Sequence, residues 1–440
     1  MPVLHLLSYE AKKVYISSHY DINTCMKSQE DIVVIGGGVI GVCSAYYLAQ
    51  KGIQATLLEK GEIASGCSYG NGGLIVPSHS VPLASPGALG SGIRWLLDSE
   101  SPFYIKPRFD MDLFGWLIRF VFASRQSQML RSVPIMRDLL FASRALYEEL
   151  SKEAGFEFGF AGKGSLLVYL SKEKLQYEME EAHLLERFGI PLQVMDQAQV
   201  HDLEPALLPQ VIGGIYYPRD GHINPHRFVT RLAEKAQELG AQICTKTEVT
   251  GFESLQGKIT KIHTTRGEIY PKQVILATGS WSPEVARNLK LRIPIQAAKG
   301  YSITLENPPV TPKIPISLGE ARVVVNPLLD SLRIAGTLEL AGMDFSINSR
   351  RVDAMRKASR EYLPGLDEAK VIEIWRGLRP CTPDGLPIIS HSQDLDNLIV
   401  AAGHAMLGMS LGPITGKLVS QLVQGEKTDI DVFPFRIERF

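Results

Sequence analysis

The 440-residue chain reads as an α/β protein of two domains, on three observations. A strand-like run, Ile32 to Ile35, enters Gly36-Gly37-Gly38-Val39-Ile40-Gly41, and a helix-like segment (42–51) then leads to a second strand (55–58) ending on Glu59. Two later apolar strands, Gln273 to Leu276 and Leu398 to Ala401, run into small-residue turns, Ala277-Thr278-Gly279 and Gly403-His404. The remaining strand and helix patterns, and a length beyond one usual core, call for a second domain.

The first unit carries its own chemistry. Gly36 lets the chain turn sharply out of the strand, Gly38 lets backbone approach a pyrophosphate, and Gly41 lets the helix sit close to the sheet. The helix that starts here, with Val39 and Ile40, offers free N–H groups and the positive end of its dipole to phosphate. Glu59 follows roughly 20 residues on, where an acid accepts hydrogen bonds from an adenosine ribose. An acid there favours FAD or NAD over NADP.

Composition excludes several classes. Hydrophobic residues make up 45% and the formal net charge is −1, without a basic block or acidic tail, so nucleic acid is not expected as a partner. Cys25, Cys43, Cys67, Cys244 and Cys381 form no CxxC spacing, which predicts neither a zinc site nor a redox disulfide and fits a reducing, cytoplasmic setting. No run of about 18 apolar residues suggests a spanning helix.

In chain order, residues 1–29 show no signal-peptide core and are expected to form an N-terminal extension, the folded part starting near Met26. Lys60 to Ile75 is rich in glycine and hydroxyls and suits a loop along a cofactor, with Ser65 or Ser68 near phosphate. Cys67 within it reads as a small buried residue. From Pro82 to Gly155 the composition turns to Trp, Phe, Leu and Arg: Arg94 to Leu97 and Phe114 to Phe122 are amphipathic fragments, and Pro134 to Gly155 reads as one helix. This predicts a helical insertion whose Trp116 fragment serves as interdomain core, with membrane-surface contact as the alternative.

A strand at 164–170, a charged helix at 171–187 and a short helix capped by Asp196 follow. Gly213 to Tyr217 is a strand, and Asn224-Pro225 opens a helix that runs to Leu239. A strand at 241–245 precedes a hairpin, 248–253 and 258–265, turning at Gln256-Gly257. Strands are expected at 302–305, 322–325 and 332–335, a helix at 349–362, and an apolar helix near the C-terminus.

The glycine turn 35–41, Ala277-Thr278-Gly279, Gly377-Leu378-Arg379-Pro380 with Thr382-Pro383-Asp384, and Gly403-His404 stand in an order that resembles the D-amino-acid oxidase superfamily of FAD-dependent amine oxidoreductases. Asn71 to Pro77 and the helical insertion look most like the bacterial D-amino-acid dehydrogenases; glycine oxidase and the sarcosine and hydroxyproline dehydrogenases are close relatives. The resemblance implies a glutathione-reductase-like, Rossmann-type FAD-binding domain (30–85, 212–295 and 371–440) and a mixed-sheet substrate domain (86–211 and 296–370). It implies that Arg379 binds the substrate carboxylate, with Arg376 as the alternative. The turn His404, Ala405, Met406, Leu407 and Gly408 is expected to lean on the flavin pyrimidine ring, and Gly73, Leu74 and Ile75 to pass near the flavin N5. Lys60, Val249, Trp281, Gly377 and Gly403 complete the expected cofactor wall, and Tyr301 and His79 the substrate pocket. Where the eukaryotic oxidases place tyrosines after their counterpart of Lys299-Gly300, this chain has Tyr301 alone before Tyr362, which leaves Arg379 without an assigned helper. Cys381 does not fall where covalent sarcosine oxidases carry their linked cysteine, so FAD is expected to be non-covalent.

The expected reaction is oxidation of the Cα–N bond of a D-amino acid, with hydride passing from Cα to flavin N5 and the imino acid hydrolysing to keto acid and ammonia. Family analogy sends the electrons to a quinone or dye. The alternatives are an oxygen-using oxidase or a dehydrogenase of glycine, sarcosine or D-proline and hydroxyproline, an electron-transfer flavoprotein subunit without its own substrate, and an aromatic hydroxylase on the same fold. The absence of a second GxGxxG argues against a disulfide reductase.

Overall fold

The computed structural model describes residues 29–87 and 103–440. The expected N-terminal extension, apart from Gln29, and the fragment Arg94 to Leu97 lie outside the described residues.

Two sheets organise the chain. Strand β1 (Gln29–Ile35), helix α1 (Val39–Gln50) and β2 (Thr56–Leu58) form the first unit. After β3 (Leu74–Ile75) and β4 (Phe103–Ile105) come α2 (Met111–Ala123) and α3 (Gln126–Leu150), then β5 (Ser165–Tyr169), α4 (Lys172–Arg187), β6 (Gln193–Asp196) and α5 (Gln197–Leu203). Next are β7 (Gly213–Tyr217), β8 (Gly221–His222), α6 (Pro225–Glu238), β9 (Gln242–Cys244), β10 (Val249–Leu255), β11 (Lys258–Thr264), β12 (Gly267–Leu276) and α7 (Ser282–Arg287). The chain continues with β13 (Gln296–Glu306), β14 (Ile316–Leu318), β15 (Val323–Pro327), β16 (Ser331–Leu340), α8 (Ser349–Arg360), β17 (Lys370–Cys381), β18 (Ile388–His391), β19 (Leu398–Ala402) and α9 (Gly408–Gln424).

The first sheet has a parallel centre in which β1 lies between β2 and β12, β9 flanks β2, and β19 flanks β12. Ile32 to Ile35 and Val274 to Leu276 are buried without alternation, as strands covered on both faces must be. One face carries α1, packed against α6 and α9. A Cβ on Gly412 would meet Val39 Cγ2 at 2.7 Å, and one on Gly416 would meet the Cys43 backbone at 2.5 Å. These two glycines, one helical turn apart, let α9 touch α1 backbone to backbone.

The second sheet is mixed, in the order β17-β13-β16-β15-β14-β5-β7-β6, with β4 paired to β16. Its two longest strands, β13 and β17, run antiparallel from Gln296↔Cys381 to Glu306↔Lys370. The expected domain boundaries at 212 and 371 cut across this sheet, since β7 and β17 both belong to it. Those boundaries were implied by the resemblance, whereas sheet membership is set by long-range pairing. The same cause hid most of β13 and β17, whose Ala297, Ala298, Gly300 and Gly377 carry no strand signal.

Other local readings differ from the structure at helix ends. The helix expected to start at Pro134 begins at Gln126 and keeps Pro134 inside it. A proline costs the helix one backbone hydrogen bond, and the buried stripe from Val133 to Leu150 holds the segment helical across it. The hairpin turn falls as expected, with positive φ at both Gln256 and Gly257, the pattern of a tight two-residue loop. Among the described residues no helix is long and apolar enough to cross a membrane.

Gly416→Val forces atoms into the α1–α9 seam where Cys43 leaves no room. It is expected to lower unfolding free energy by about 1–3 kcal/mol, read as a shifted urea midpoint; an unchanged midpoint contradicts the packing argument.

Candidate active site

A cavity of about 860 Å³ is lined from both sheets, a size within the usual range for small-molecule sites. The first sheet presents Gly36, Gly38, Val39, Ile40, Glu59, Lys60, Ser65, Ser68, Val249, Ala277, Thr278, Gly279 and Trp281 to it. The second presents Gly377 and Arg379, and the turn before α9 presents His404, Ala405 and Gly408.

Contacts within the glycine turn explain its shape. Gly36 has φ +113°, and a Cβ there would lie 2.6 Å from the carbonyl oxygen of Ala277. A Cβ on Gly41 would lie 1.8 Å from the Gly36 oxygen, so only glycine allows α1 to start so close to the strand end. At Gly38 the nearest atom to such a Cβ is Ser68 Oγ at 3.5 Å. The space in front of Gly38 therefore belongs to the cavity. The Val39 N–H donates to Ser68 Oγ at 3.0 Å, and no acidic side chain stands in the first turn of α1.

Glu59 is held by two backbone donors, Gly37 N–H at 2.6 Å and Gly61 N–H at 2.7 Å. A carboxylate fixed in this way at the cavity wall retains acceptor capacity for a diol. An open helix N-terminus, a backbone cradle and an anchored acid together fit the ADP half of a dinucleotide. Gly41 serves this arrangement from behind the turn and does not itself line the cavity.

Four side chains bridge the sheets at the cavity wall. Lys60 Nζ sits 4.5 Å from the Trp281 ring, and Trp281 stacks on Phe345 with centroids 6.3 Å apart. The Arg376 guanidinium covers the other side of that pair at 4.9 Å, and its Nε donates to the Phe345 carbonyl at 2.9 Å.

Two flat side chains form the floor contributed by the second sheet. The Trp375 ring lies over Gly377, where a Cβ would approach it to 2.0 Å, and against Gly70, where the approach would be 2.2 Å. Arg379 lies over Gly300, opposite Thr337, whose carbonyl accepts from Arg379 Nη1 at 2.5 Å. Burial lowers the Arg379 pKa from its ordinary value, with the neighbouring Cys381 and Cys67 acting in the opposite direction. Trp375, Phe345, Gly70 and Gly300 were not assigned roles from the sequence. Gly300 had a local signal, standing beside the only tyrosine of its segment, but its partner is 79 residues away along the chain.

Several expected positions lie elsewhere. Tyr301 touches the cavity wall, yet its ring is buried in the core of the second sheet and its hydroxyl accepts from Asn348 N–H at 3.3 Å. Strand alternation is the reason: with Gly300 facing Arg379, the next side chain points to the opposite face. His79 lies outside the cavity lining, exposed at a turn whose other residues, Pro77, Ser78 and Ser80, are buried. Gly73, Leu74 and Ile75 also stand outside the lining; β3 pairs with β8, and Ser410 Oγ at the start of α9 donates to the Leu74 carbonyl at 2.9 Å. Gly403, Met406 and Leu407 are likewise outside it: Gly403 provides a left-handed turn packed on Thr382, Met406 is exposed, and Leu407 packs against the core beside α1.

His404 is buried, with Nε2 2.9 Å from Thr415 Oγ1, and burial pushes its pKa down to about 3. Its imidazole is neutral at working pH and serves to hold the turn. Unfolded, it would titrate near 6.5. Between these values the unfolded chain binds the extra proton, so stability is full above pH 6.5 and is lost as pH falls toward 3, at up to about 1.4 kcal/mol per pH unit. His404→Gln is expected to flatten that part of the pH–stability curve in stepwise urea titrations; equal slopes in both proteins would rule it out.

Comparison with known proteins now bears on this site. The family described as FAD dependent oxidoreductase matches residues 31–422. A D-amino acid dehydrogenase of Vibrio atlanticus is 32% identical over 93% of this chain and 100% of its own length. One from Methylobacterium nodulans is 32% identical over 91% of this chain and 96% of its own. Among solved structures, glycine oxidase from Geobacillus kaustophilus superposes with a TM-score of 0.77 at 24% identity, covering 94% of this chain and all of that one. L-proline dehydrogenase from P. horikoshii does so with a TM-score of 0.74 at 23% identity, covering 94% of this chain and 98% of the other. A glycine turn cradling a cavity of dinucleotide size, and a family match that spans nearly the whole chain, agree: this protein belongs to the FAD-dependent oxidoreductases of the D-amino-acid oxidase type.

Proposed function

We propose that this chain is a D-amino-acid dehydrogenase that oxidises the Cα–N bond of its substrate to an imino acid, which water converts to a keto acid and ammonia. The observation that carries the reading is Arg379. Its guanidinium lies in the cavity wall and its hydrogen bonds go to backbone carbonyls; no ion pair joins it to an Asp or Glu among the described residues. A cationic fork held by neutral acceptors is suited to taking a substrate carboxylate through two parallel bonds. The names of the two relatives at 32% identity support a D-amino acid as substrate.

Bound FAD supplies the hydride acceptor. The chain supplies position: Arg379, lying flat on Gly300, fixes the carboxylate, and Trp375, lying flat on Gly377, presents its face to the cavity for the rest of the substrate. The N-terminus of α9, with Gly408 and Met409 at the cavity, offers positive dipole to the electron-rich edge of the cofactor. His404, which lines the same cavity, is neutral and tied to Thr415. Hydride loss from Cα needs the nitrogen lone pair free, so the amine reacts in its unprotonated form and turnover should rise with pH until the substrate ammonium has lost its proton.

Non-covalent attachment of FAD is part of the proposal. The cavity-lining Cys67 donates its S–H to the Leu378 carbonyl at 2.6 Å and burial raises its pKa to about 11, which keeps it a thiol. The same reading passes electrons to a quinone or a dye and places the protein on the cytoplasmic side, peripheral to the membrane. Support comes from α2: its inner face buries Leu113 and Trp116, and Trp116 Nε1 donates to the Cys381 carbonyl at 2.9 Å. Met111, Phe114, Ile118, Val121 and Phe122 are exposed on its outer side, and Arg125 covers the Phe122 ring.

Anaerobic mixing with D- and L-amino acids, glycine, sarcosine and D-proline is expected to bleach the flavin fastest with a D-amino acid, and a fast L-isomer or glycine would replace the substrate class. Arg379→Ala should raise KM at least about a hundredfold with FAD retained, as loss of a charge-assisted pair implies; unchanged kinetics would remove Arg379 from the site. For the membrane contact, flotation with anionic phospholipid vesicles is the test. The protein should float and a Phe114→Ser/Phe122→Ser variant should not; wild-type protein left at the bottom of the gradient overturns that contact.

A further inference from the structure

We propose that Gly300 and the β16 bulge at Gly336–Thr337 are the positioning device for Arg379. The inference rests on the reading of Arg379 as the carboxylate anchor and adds what aims it.

The geometry begins with register. Lys299 pairs with Glu339 across β13 and β16, while Tyr301 pairs with Gly336. One residue on β13, Gly300, thus faces two on β16, Thr337 and Leu338, which is a β-bulge. Thr337 takes φ +61°, a left-handed conformation that a β-branched residue rarely adopts, and its hydroxyl is buried without a hydrogen-bond partner. Such a conformation persists only where the surroundings enforce it. Lys299, 2% exposed, stands 3.6 Å from Glu339 and donates to the Ser346 carbonyl at 3.0 Å, and Arg351 holds the other Glu339 oxygen at 3.4 Å.

The bulge turns two carbonyls toward the cavity wall. Thr337 O accepts from Arg379 Nη1 at 2.5 Å and Gly336 O from Nη2 at 3.4 Å. The guanidinium can reach them only by crossing Gly300. A Cβ on Gly300 would lie 2.2 Å from Nη1 and 2.4 Å from both Cζ and Nη2, and these are the nearest atoms it would meet. A side chain at 300 therefore displaces the flexible end of Arg379 and leaves the backbone pairing untouched. With Gly300 absent as an obstacle and the bulge carbonyls holding one edge of the fork, the remaining N–H groups keep a fixed direction for a carboxylate. This is the helper that the missing tyrosines left unassigned: backbone acceptors in place of a side chain.

Binding of benzoate, a carboxylate without a reactive amine, read from the flavin absorbance change of the holoenzyme, tests this. Gly300→Ala is expected to weaken benzoate about ten- to hundredfold while FAD content and Tm stay at wild-type values. In an Arg379→Ala background the same change should add nothing, because its effect passes through the arginine. Benzoate affinity unchanged in Gly300→Ala overturns the proposal, as does an equal loss in both backgrounds. If Arg379→Ala alone leaves benzoate binding intact, the anchor itself is wrong, a result separate from the failure of Gly300.

Discussion

The close approach of Gly41 to the carbonyl oxygen of Gly36 is the contact on which the rest of the molecule depends. No other residue type fits at 41, since a Cβ would sit 1.8 Å from that oxygen. The contact sets where α1 begins, and so where its free amides open into the cavity. The same helix is then clasped from outside by α9 through Gly412 and Gly416. In this way α1 is held by backbone approach at its start and along its length, and its N-terminus has one position relative to the strands.

Around that fixed point the start of α1 is kept open to an anionic cofactor. The first turn of α1 carries no acid, and Glu59 is held by two N–H donors at the far edge of the turn. Lys60 and Arg376 cover the two faces of the Trp281–Phe345 stack that joins the sheets. The second sheet answers with a floor made by absence: Gly300 under Arg379, Gly377 and Gly70 beside Trp375. Side chains with planar groups can lie flat there because the strands offer no Cβ to lift them.

Legibility in the sequence followed the range of the interaction. The β1–α1–β2 unit, the Asn224-Pro225 helix start and the Gln256-Gly257 turn are local events, written in adjacent residues, and all three stand where the pattern put them. Tyr301 lines the cavity while its ring turns into the core, and His79 stands outside the lining, because residue type alone does not state which face of a strand or turn a side chain occupies. The interior proline of α3 was read as a start because its cost is local while its compensation, the buried stripe beneath it, is tertiary.

By itself, then, the sequence determined a dinucleotide cradle and its acid, because both depend on residue chemistry at short spacing; Arg379 was singled out by the resemblance of its motif to a family, and its carboxylate role is the reading proposed above. Tertiary structure alone decided what surrounds Arg379. The pairing of β13 with β16 and β17 brings Gly300, Thr337 and Arg379 together from three separate strands. The bulge that turns the Thr337 carbonyl toward the guanidinium is a property of register, and register between distant strands is fixed by packing, with the buried Lys299–Glu339 pair beside it.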